Sequence, residues 1–384
     1  MCAKGDKMKL AIIGQKGIPS RTGGVEIHVE EIASRLASYG ENVTVYCRES
    51  YCEEKYDKYK GINLKYIPSI RTKHLDAITY TFLATIDAIK SKSDVIHYHA
   101  LGPSLLSFIP RIFGKKVIVT SHGLDWKRKK WGIIGRLALK LGEIASIKFP
   151  HKTISVSENM LRYYENKYKN LDITYIPNGI DEKKNLVPNK IKEKFNLEKD
   201  QYILFLARLV PEKGAHYLID AFKNLETSKK LVISGGSSHS DDYVNELKEK
   251  AKDNPNIIFT GFVTGNLIDE LFTNAYLYVL PSEVEGLPIS LLEAMAYGQA
   301  CLVSDIEENL EVVENNAISF KSKDTLDLEK QLKTLISDEE LVNKYKSASK
   351  KFILKKYNWD DVAIKTRELL NTLVLKEIDS NRLL

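Results

Sequence analysis

A chain of 384 residues with 43% hydrophobic and 28% charged side chains has an ordinary globular composition but is too long for one core, so two domains of about 180 residues are expected. No run approaches 18 apolar residues, which excludes a membrane-spanning helix, and the strand-like run 10–13 flanked by lysines is not expected to be a signal peptide. The net charge of +6 is uneven: residues 1–190 hold 32 Lys+Arg against 19 Asp+Glu, the remainder 25 against 32. Ten basic residues against two acidic ones within 101–150 point to an anionic partner for the first half. Nucleic acid is disfavoured, because no aromatic-interleaved RNA-binding motif or helix-turn-helix pattern accompanies the charge. An anionic membrane surface or a diphosphate-lipid fits better. Cys2, Cys47, Cys52 and Cys301 form no Cys-x-x-Cys pair, which suits free thiols in a reducing cytoplasm.

In chain order, the first half offers strands at 9–14, 43–47, 64–67, 95–98, 116–120, 153–156 and 173–176. Helical periodicity fills 25–39, 76–90, 101–113 and 158–169 between them. The second half repeats the alternation with strands at 203–206, 230–234, 257–260, 276–280 and 300–303. Such alternation predicts parallel sheets with right-handed crossovers, built twice. Pro188 and the charged, asparagine-rich stretch 179–192 read as a linker. A last helical pattern runs from Trp359 through Val374.

The first strand leads into Gly14-Gln-Lys-Gly17, then Ile-Pro-Ser-Arg-Thr, then Gly23-Gly24 opening a helix at Val25. That departs from the dinucleotide fingerprint, and no acidic residue is suitably placed after the second strand, which disfavours an NAD-dependent oxidoreductase. His122, in Thr120-Ser-His-Gly123, follows an apolar strand and precedes a glycine, a position from which it can hydrogen-bond a sugar. Asp125, three residues on, is a candidate to contact or deprotonate an acceptor hydroxyl. His97 and His99 are read as structural, one to each side of their strand, and not as zinc ligands. Lys127-Arg-Lys-Lys130 between two tryptophans, followed by Ile133, Ile134, Leu137, Ala138 and Leu141, suits either an interfacial helix on anionic lipid or a core helix with a solvated start. Asn178 and Gly179 read as hinge or cleft residues.

In the second half, Arg208 and Lys213 lie on the loop after the first strand, spaced to clamp two phosphates. They would neutralise a departing diphosphate without a metal ion. The densest stretch is Pro281-Ser-Glu-Val-Glu-Gly-Leu-Pro-Ile-Ser-Leu-Leu-Glu-Ala-Met-Ala-Tyr-Gly298. A buried strand stops at Pro281, a helix starts with Pro288 as its first residue, and Gly298 caps its C-terminus. Free N–H groups at that helix start suit phosphate. Glu285 just before it and Glu293 on a later turn could bind hydroxyls on either side of a pyrophosphate, the layout of a nucleotide-sugar.

Glu285-x7-Glu293 within E-G-L-P-x-x-L-L-E-A-M-A-x-G resembles the signature of the family 4 retaining glycosyltransferases. The resemblance extends through Gly23-Gly24-Val-Glu26, Ile176-Pro-Asn-Gly-Ile-Asp181 and Ala207-Arg-Leu-Val-Pro-Glu-Lys-Gly214, and so covers nearly the whole chain. It implies the GT-B fold, α/β, with two Rossmann-like parallel-sheet domains facing across a cleft and a C-terminal helix crossing back to the first. The expected divisions are 1–185 on the acceptor side, 186–356 binding the donor, and 357–384 for the crossover helix.

By the same resemblance, Gly23 and Gly24 let backbone N–H groups approach the donor phosphate or the acceptor. Arg208, Lys213, Gly236, Val263, Leu287, Pro288, Ile289 and Glu293 form the donor site, with Glu293 on the ribose and the backbone near Val263 on the base. His122 and Glu285 contact the transferred sugar. The implied activity is metal-independent transfer of a hexosyl unit, with retention, from a nucleoside diphosphate to a hydroxyl of a growing, lipid-linked surface glycan, by an enzyme with no cofactor at the inner face of the membrane. H-G-L-D-W-K-R-x-K-W-G and G-Q-K-G-I-P resemble a bacterial subgroup of rhamnosyl and related transferases. A nucleotide-sugar epimerase, a phosphorylase-type enzyme and a non-catalytic nucleotide-sugar-binding subunit share these features and stay open.

Overall fold

The computed structural model describes residues 7–20, 23–70, 72, 75–128, 131–238 and 240–382. These fall into two compact units: one runs through Asn178 and is rejoined by the segment from Trp359, and the other is Gly179–Asn358.

The first unit holds the strands β1 (Lys9–Ile13), β2 (Asn42–Arg48), β3 (Lys58–Tyr59), β4 (Ile62–Ile67), β5 (Val95–His99), β6 (Lys116–Ser121), β7 (Lys152–Ser155) and β8 (Ile173–Tyr175). They form one sheet in the order β3-β4-β2-β1-β5-β6-β7-β8, parallel except for the β3–β4 edge hairpin. Near-continuous apolar runs suit strands covered on both faces. Leu10 and Ile12 of β1 face one side, packing with Val29, Ile32 and Leu36 of the Gly24–Ser38 helix. Ala11 and Ile13 face the other, with Tyr80, Ala84 and Ala88 of the Leu75–Lys90 helix. Burial of each leucine, isoleucine or valine side chain is worth about 1.5–3 kcal/mol, so this alternation fixes the register of β1.

The helix expected over 101–113 is instead two short ones, Leu101–Ser104 and Phe108–Ile112. Pro110 has no N–H for the Leu106 carbonyl, so it sits only in the first turn of a new helix. The helix Ile133–Lys148 buries Leu139, Gly142, Glu143, Ala145 and Ser146, while Ile133, Ile134, Leu137 and Leu141 are exposed.

The second unit holds β9 (Tyr202–Leu206), β10 (Lys230–Ser234), β11 (Ile257–Gly261), β12 (Leu277–Leu280), β13 (Cys301–Ser304) and β14 (Ile318–Phe320). All pair in parallel, in the order β11-β10-β9-β12-β13-β14. Ile203, Phe205, Leu218, Leu231, Leu277 and Leu302 lie in its core. The segment read as a linker is built into this unit: Ile180 bridges Asn358, and the Asn189 and Ile191 N–H groups both donate to Glu270 Oε2 at 3.0 Å.

The helix Trp359–Arg382 crosses back to the first unit. Trp359, Val362, Ala363, Leu370 and Leu373 enter that core, and Arg35 Nε–Asp360 Oδ1 (2.7 Å) and Arg367 Nε–Glu41 Oε1 (2.8 Å) flank the contact. Among the described residues no helix is long and apolar enough to cross a membrane.

Candidate functional site

Each sheet has one point where its strand order reverses, beside β1 and β5 in the first unit and beside β9 and β12 in the second. Ligands of open α/β sheets bind outside the carboxyl ends of strands at such points. Most sequence-selected residues lie at those two places.

In the second unit, Arg208 follows β9 and Lys213 ends the short helix Pro211–Lys213. Lys213 Nζ forms a half-buried ion pair with Glu285 Oε1, with only 13% and 8% of the two side chains exposed. The approach depends on Gly214, whose φ is +73° and whose Cβ, if present, would lie 2.0 Å from the Pro281 carbonyl oxygen. The Glu283 N–H also donates to the Glu212 carbonyl at 2.8 Å, tying the two loops together. Cation, carboxylate and helix start are thus held in one place before any ligand arrives.

Pro288 occupies the N-cap of the helix Ile289–Ala296, one residue earlier than the first helical position expected for it, with φ −74° and ψ 103°. Its carbonyl accepts from the Leu291 and Leu292 N–H groups, and extended ψ keeps it outside the helix. Tyr278 on β12 bonds Ser290 Oγ at 3.0 Å and fastens the first turn to the sheet. Leu287 and Ile289 are buried, so their side chains are closed to a ligand. Gly298 has φ +80° and terminates the helix as expected.

Glu293, on the same helix, pairs with Lys183 at 3.4 Å. Burial raises its carboxyl above the usual range, against the opposing pull of Lys183. Lys183 was not selected from the sequence, where it is one of several lysines in a charged stretch.

Gly235 and Gly236 follow β10. A Cβ on Gly235 (φ +147°) would come within 1.8 Å of the Ala207 carbonyl, whereas one on Gly236 would make ordinary contact with Phe262. The steric demand therefore falls on Gly235 and not on Gly236. Val263 is buried beside exposed Phe262.

The carboxyl shift of Glu293 fixes a sign. A carboxyl whose folded pKa is raised contributes its full stability at low pH and loses it as pH rises through the folded value. Glu293→Gln is therefore expected to melt at or above the wild-type temperature at pH 8, with the gap closing at pH 4. Calorimetry at the two pH values checks this, and a variant less stable at pH 8 than at pH 4, relative to wild type, contradicts it.

In the first unit, Gly14 follows β1 with φ +129°, and a Cβ there would overlap the His99 carbonyl oxygen at 2.2 Å. The glycine loop returns to the Gly24–Ser38 helix, which Gly24 opens and Gly23 caps at φ +104°. That helix pins the loop through Glu26 Oε1, accepting from the Lys16 N–H at 3.0 Å, and Glu30 Oε2, accepting from the Ser20 N–H at 2.6 Å.

His99 closes β5 and His122 follows β6. His97 and His99, two residues apart, face the same side of the strand and not opposite sides, because the side-chain period of a strand is two; their ring centroids are 4.2 Å apart. His28, from the Gly24–Ser38 helix, completes the group, and ligand atoms of His28, His99 and His122 all lie within 4.8 Å of one another. No local pattern signals this gathering, since His28 sits on a helix remote in sequence from both strands. Three imidazoles so close have the donor set of a metal seat, although His99 Nδ1 and His122 Nε2 are directed at each other at 3.0 Å.

Burial lowers the His28 pKa to about 4 and the His97 pKa to about 3, and takes His99 and His122 well below the usual value, so all four are neutral at pH 7. His28 Nδ1 lies 2.8 Å from Asn178 Oδ1, which gives Asn178 a partner inside the first unit.

Asp125 starts the short helix Asp125–Lys127 and pairs with Arg128 at 3.2 Å. Its segment is anchored by Trp126 Nε1 donating to Glu143 Oε2 at 2.6 Å. Glu143, fully buried, also accepts from Tyr168 and Lys167, each at 2.6 Å. Lys129 and Lys130 of the basic run lie outside the described residues.

Two parallel-sheet units, each with selected residues at its switch point and the last helix returned to the first, define a GT-B glycosyltransferase fold. Sucrose-phosphate synthase from Thermosynechococcus elongatus superposes over 96% of this chain and all of its own, with a TM-score of 0.81 at 19% identity. HepE of Anabaena, solved with UDP and glucose, covers 95% of this chain and all of its own, with a TM-score of 0.81 at 18% identity. Residues 22–184 match the family model of Glycosyltransferase Family 4, and residues 187–371 match that of the Glycosyl transferases group 1. The chain belongs to the group 1 glycosyltransferases.

Among curated relatives, an uncharacterized glycosyltransferase of Methanocaldococcus jannaschii is 26% identical over 94% of this chain and 97% of its own. The N,N'-diacetylbacillosaminyl-diphospho-undecaprenol alpha-1,3-N-acetylgalactosaminyltransferase of Campylobacter jejuni is 30% identical over 51% of this chain and 54% of its own.

Proposed function

We propose that this chain transfers a hexosyl unit from a nucleoside-diphosphate sugar to a hydroxyl of a lipid-linked saccharide, with retention of anomeric configuration and without a metal ion. The reading rests above all on the arrangement at the β9/β12 switch point: Arg208 and Lys213 on one loop, Glu285 opposite Lys213, and Glu293 further along the helix whose start faces that loop. Two cations and a helix start suit a diphosphate, and a carboxylate beyond each end suits hydroxyls of the sugar and the ribose.

The family supports a transferase, and two relatives named for diphospho-undecaprenol acceptors support the lipid-linked acceptor. In the proposed step the bond from the anomeric carbon to the phosphate oxygen breaks while the acceptor oxygen bonds that carbon from the same face. The acceptor proton passes to the departing diphosphate, whose charge Arg208 and Lys213 balance. His122 and Glu285 hold the sugar, and Asp125 orients the acceptor hydroxyl.

A thermal-shift panel of nucleoside diphosphates tests the donor site. Selective stabilisation that disappears in Glu293→Ala and Arg208→Ala is expected, since a ligand that binds only the folded chain stabilises it by mass action. No shift with any nucleotide contradicts the reading.

The exposed Ile133, Ile134, Leu137 and Leu141, next to Lys127, Arg128, Arg136 and Lys140, support docking on anionic lipid, where apolar residues insert and cations bind headgroups. Ile133→Asp with Ile134→Asp is expected to lose most of its sedimentation with phosphatidylglycerol vesicles while melting like wild type. Undiminished sedimentation contradicts the docking face.

A further inference from the structure

We infer that His99 is a positioning residue that holds His122 as the tautomer with its proton on Nδ1, so that His122 presents an N–H donor away from the core. The inference rests on the role proposed above for His122, a donor to the transferred sugar, and adds how that donor is set.

A count of protons on the two rings sets the tautomers. His99 Nδ1 and His122 Nε2 are 3.0 Å apart, so one of them carries the shared hydrogen. An imidazole keeps at least one N–H, and whichever nitrogen of this pair accepts must be bare. His99 Nε2 is buried and has no hydrogen-bond partner among the described residues. A proton there would be an orphaned buried donor, which folded proteins rarely tolerate, whereas a bare nitrogen leaves only an unused lone pair. The His99 proton therefore sits on Nδ1 and is donated to His122 Nε2. His122 must then carry its own proton on Nδ1.

The surroundings favour this arrangement. His97 repeats the pattern: its Nδ1 is buried without a partner, and its Nε2 lies 2.7 Å from Thr120 Oγ1. His28 Nδ1 donates to Asn178 Oδ1 and packs edge-on to His122, with ring centroids 4.7 Å apart, which limits rotation of the His122 ring. The backbone carrying His99 is fixed too, because its carbonyl abuts Gly14 at the end of β1. His122 is only partly buried, unlike the other three histidines, so its remaining nitrogen has an open side.

The test is long-range ¹H–¹⁵N correlation spectroscopy on the full chain with ¹⁵N-histidine at pH 7.5, joined to steady-state kinetics. In the wild type His122 is expected to show a protonated Nδ1 and a bare Nε2, with His99 the same. His99→Leu removes the donor, so the His122 signals should move toward the Nε2–H form. In that variant kcat should fall about 10–100-fold while the donor KM changes little. His99→Asn places an amide N–H where Nδ1–H stood and should recover most of the lost kcat, which a merely space-filling role would not produce.

A protonated Nε2 on His122 in the wild type overturns the inference, as do unchanged His122 signals in His99→Leu. If the tautomers are as inferred but His122→Ala keeps full kcat, the sugar-contact reading fails and the tautomer assignment stands.

Discussion

Lys213→Ala is expected to lower turnover by about 10²–10³-fold, the usual cost of removing one charge-stabilising donor from a transition state. Lys213 serves two ends in the structure. It neutralises Glu285, and it stands on the loop after β9 where a diphosphate would be held. Removing it leaves Glu285 with little solvent and no cation, a situation that destabilises by as much as about 3–5 kcal/mol when a buried pair is broken. A fall in activity alone would therefore not separate a phosphate role from loss of fold. Lys213→Met combined with Glu285→Leu removes both charges, and replacing a buried pair with apolar groups is often close to neutral for stability. The double variant should melt near wild type and stay inactive. Recovery of turnover in that variant would refute the diphosphate role of Lys213. Arg208→Ala should lower turnover to a similar degree with a smaller stability change.

Gly214→Ala is expected to destabilise the second unit by about 3 kcal/mol or more, the range of enforced backbone strain with a close clash. The added methyl would lie 2.0 Å from the Pro281 carbonyl, and φ of +73° disfavours any side chain. The loops can part only by drawing Lys213 away from Glu285, so turnover should fall with stability. For a unit of this size the melting temperature should drop by roughly 6–12 °C. Gly132→Ala is the control, since a Cβ there meets nothing within 4 Å. Equal melting temperatures for Gly214→Ala and wild type would mean that the loops are not held together as described.

Much of the fold was legible because parallel strands covered on both faces must be apolar, and those of β1, β5, β9 and β12 stand out as short runs between amphipathic helices. The Pro288 to Gly298 helix was readable from its end residues, although Pro288 caps it and does not begin it. Of the edge hairpin, β4 was read from Leu64 onward but β3 went unread, since it is only Lys58–Tyr59. The turn uses Lys60 (φ 47°) ahead of Gly61 (φ 80°), a pair without the usual asparagine or aspartate. The interrupted helix after β5 was read as continuous because hydrophobic periodicity persists through Pro110.

Within the candidate site, motif residues were legible where loop chemistry is local, as at Arg208, Lys213 and Glu285. Partners supplied by other elements were not. Lys183 reaches Glu293 from 110 positions away, and Asn178 reaches His28 across 150. The histidine group shows the limit most clearly. His97 and His99 were assigned to opposite faces of their strand, and a residue on the Gly24–Ser38 helix could not be placed against β5 and β6 without the topology. Glu143 was equally silent, since one glutamate in an apolar helix reads as solvated until Trp126, Tyr163, Lys167 and Tyr168 converge on it.

The most direct test of the transferase reading is turnover itself. The full chain should be incubated in EDTA with UDP-, GDP- and dTDP-hexoses, dTDP-rhamnose among them, and a diphospho-undecaprenol saccharide in detergent. NMR would then read the anomeric configuration of any product. The expected result is one preferred donor, release of its nucleoside diphosphate only when the acceptor is present, and a new linkage with the donor's configuration. Epimerised donor without acceptor, an inverted linkage, or activity that EDTA abolishes and Mg²⁺ restores would contradict the account.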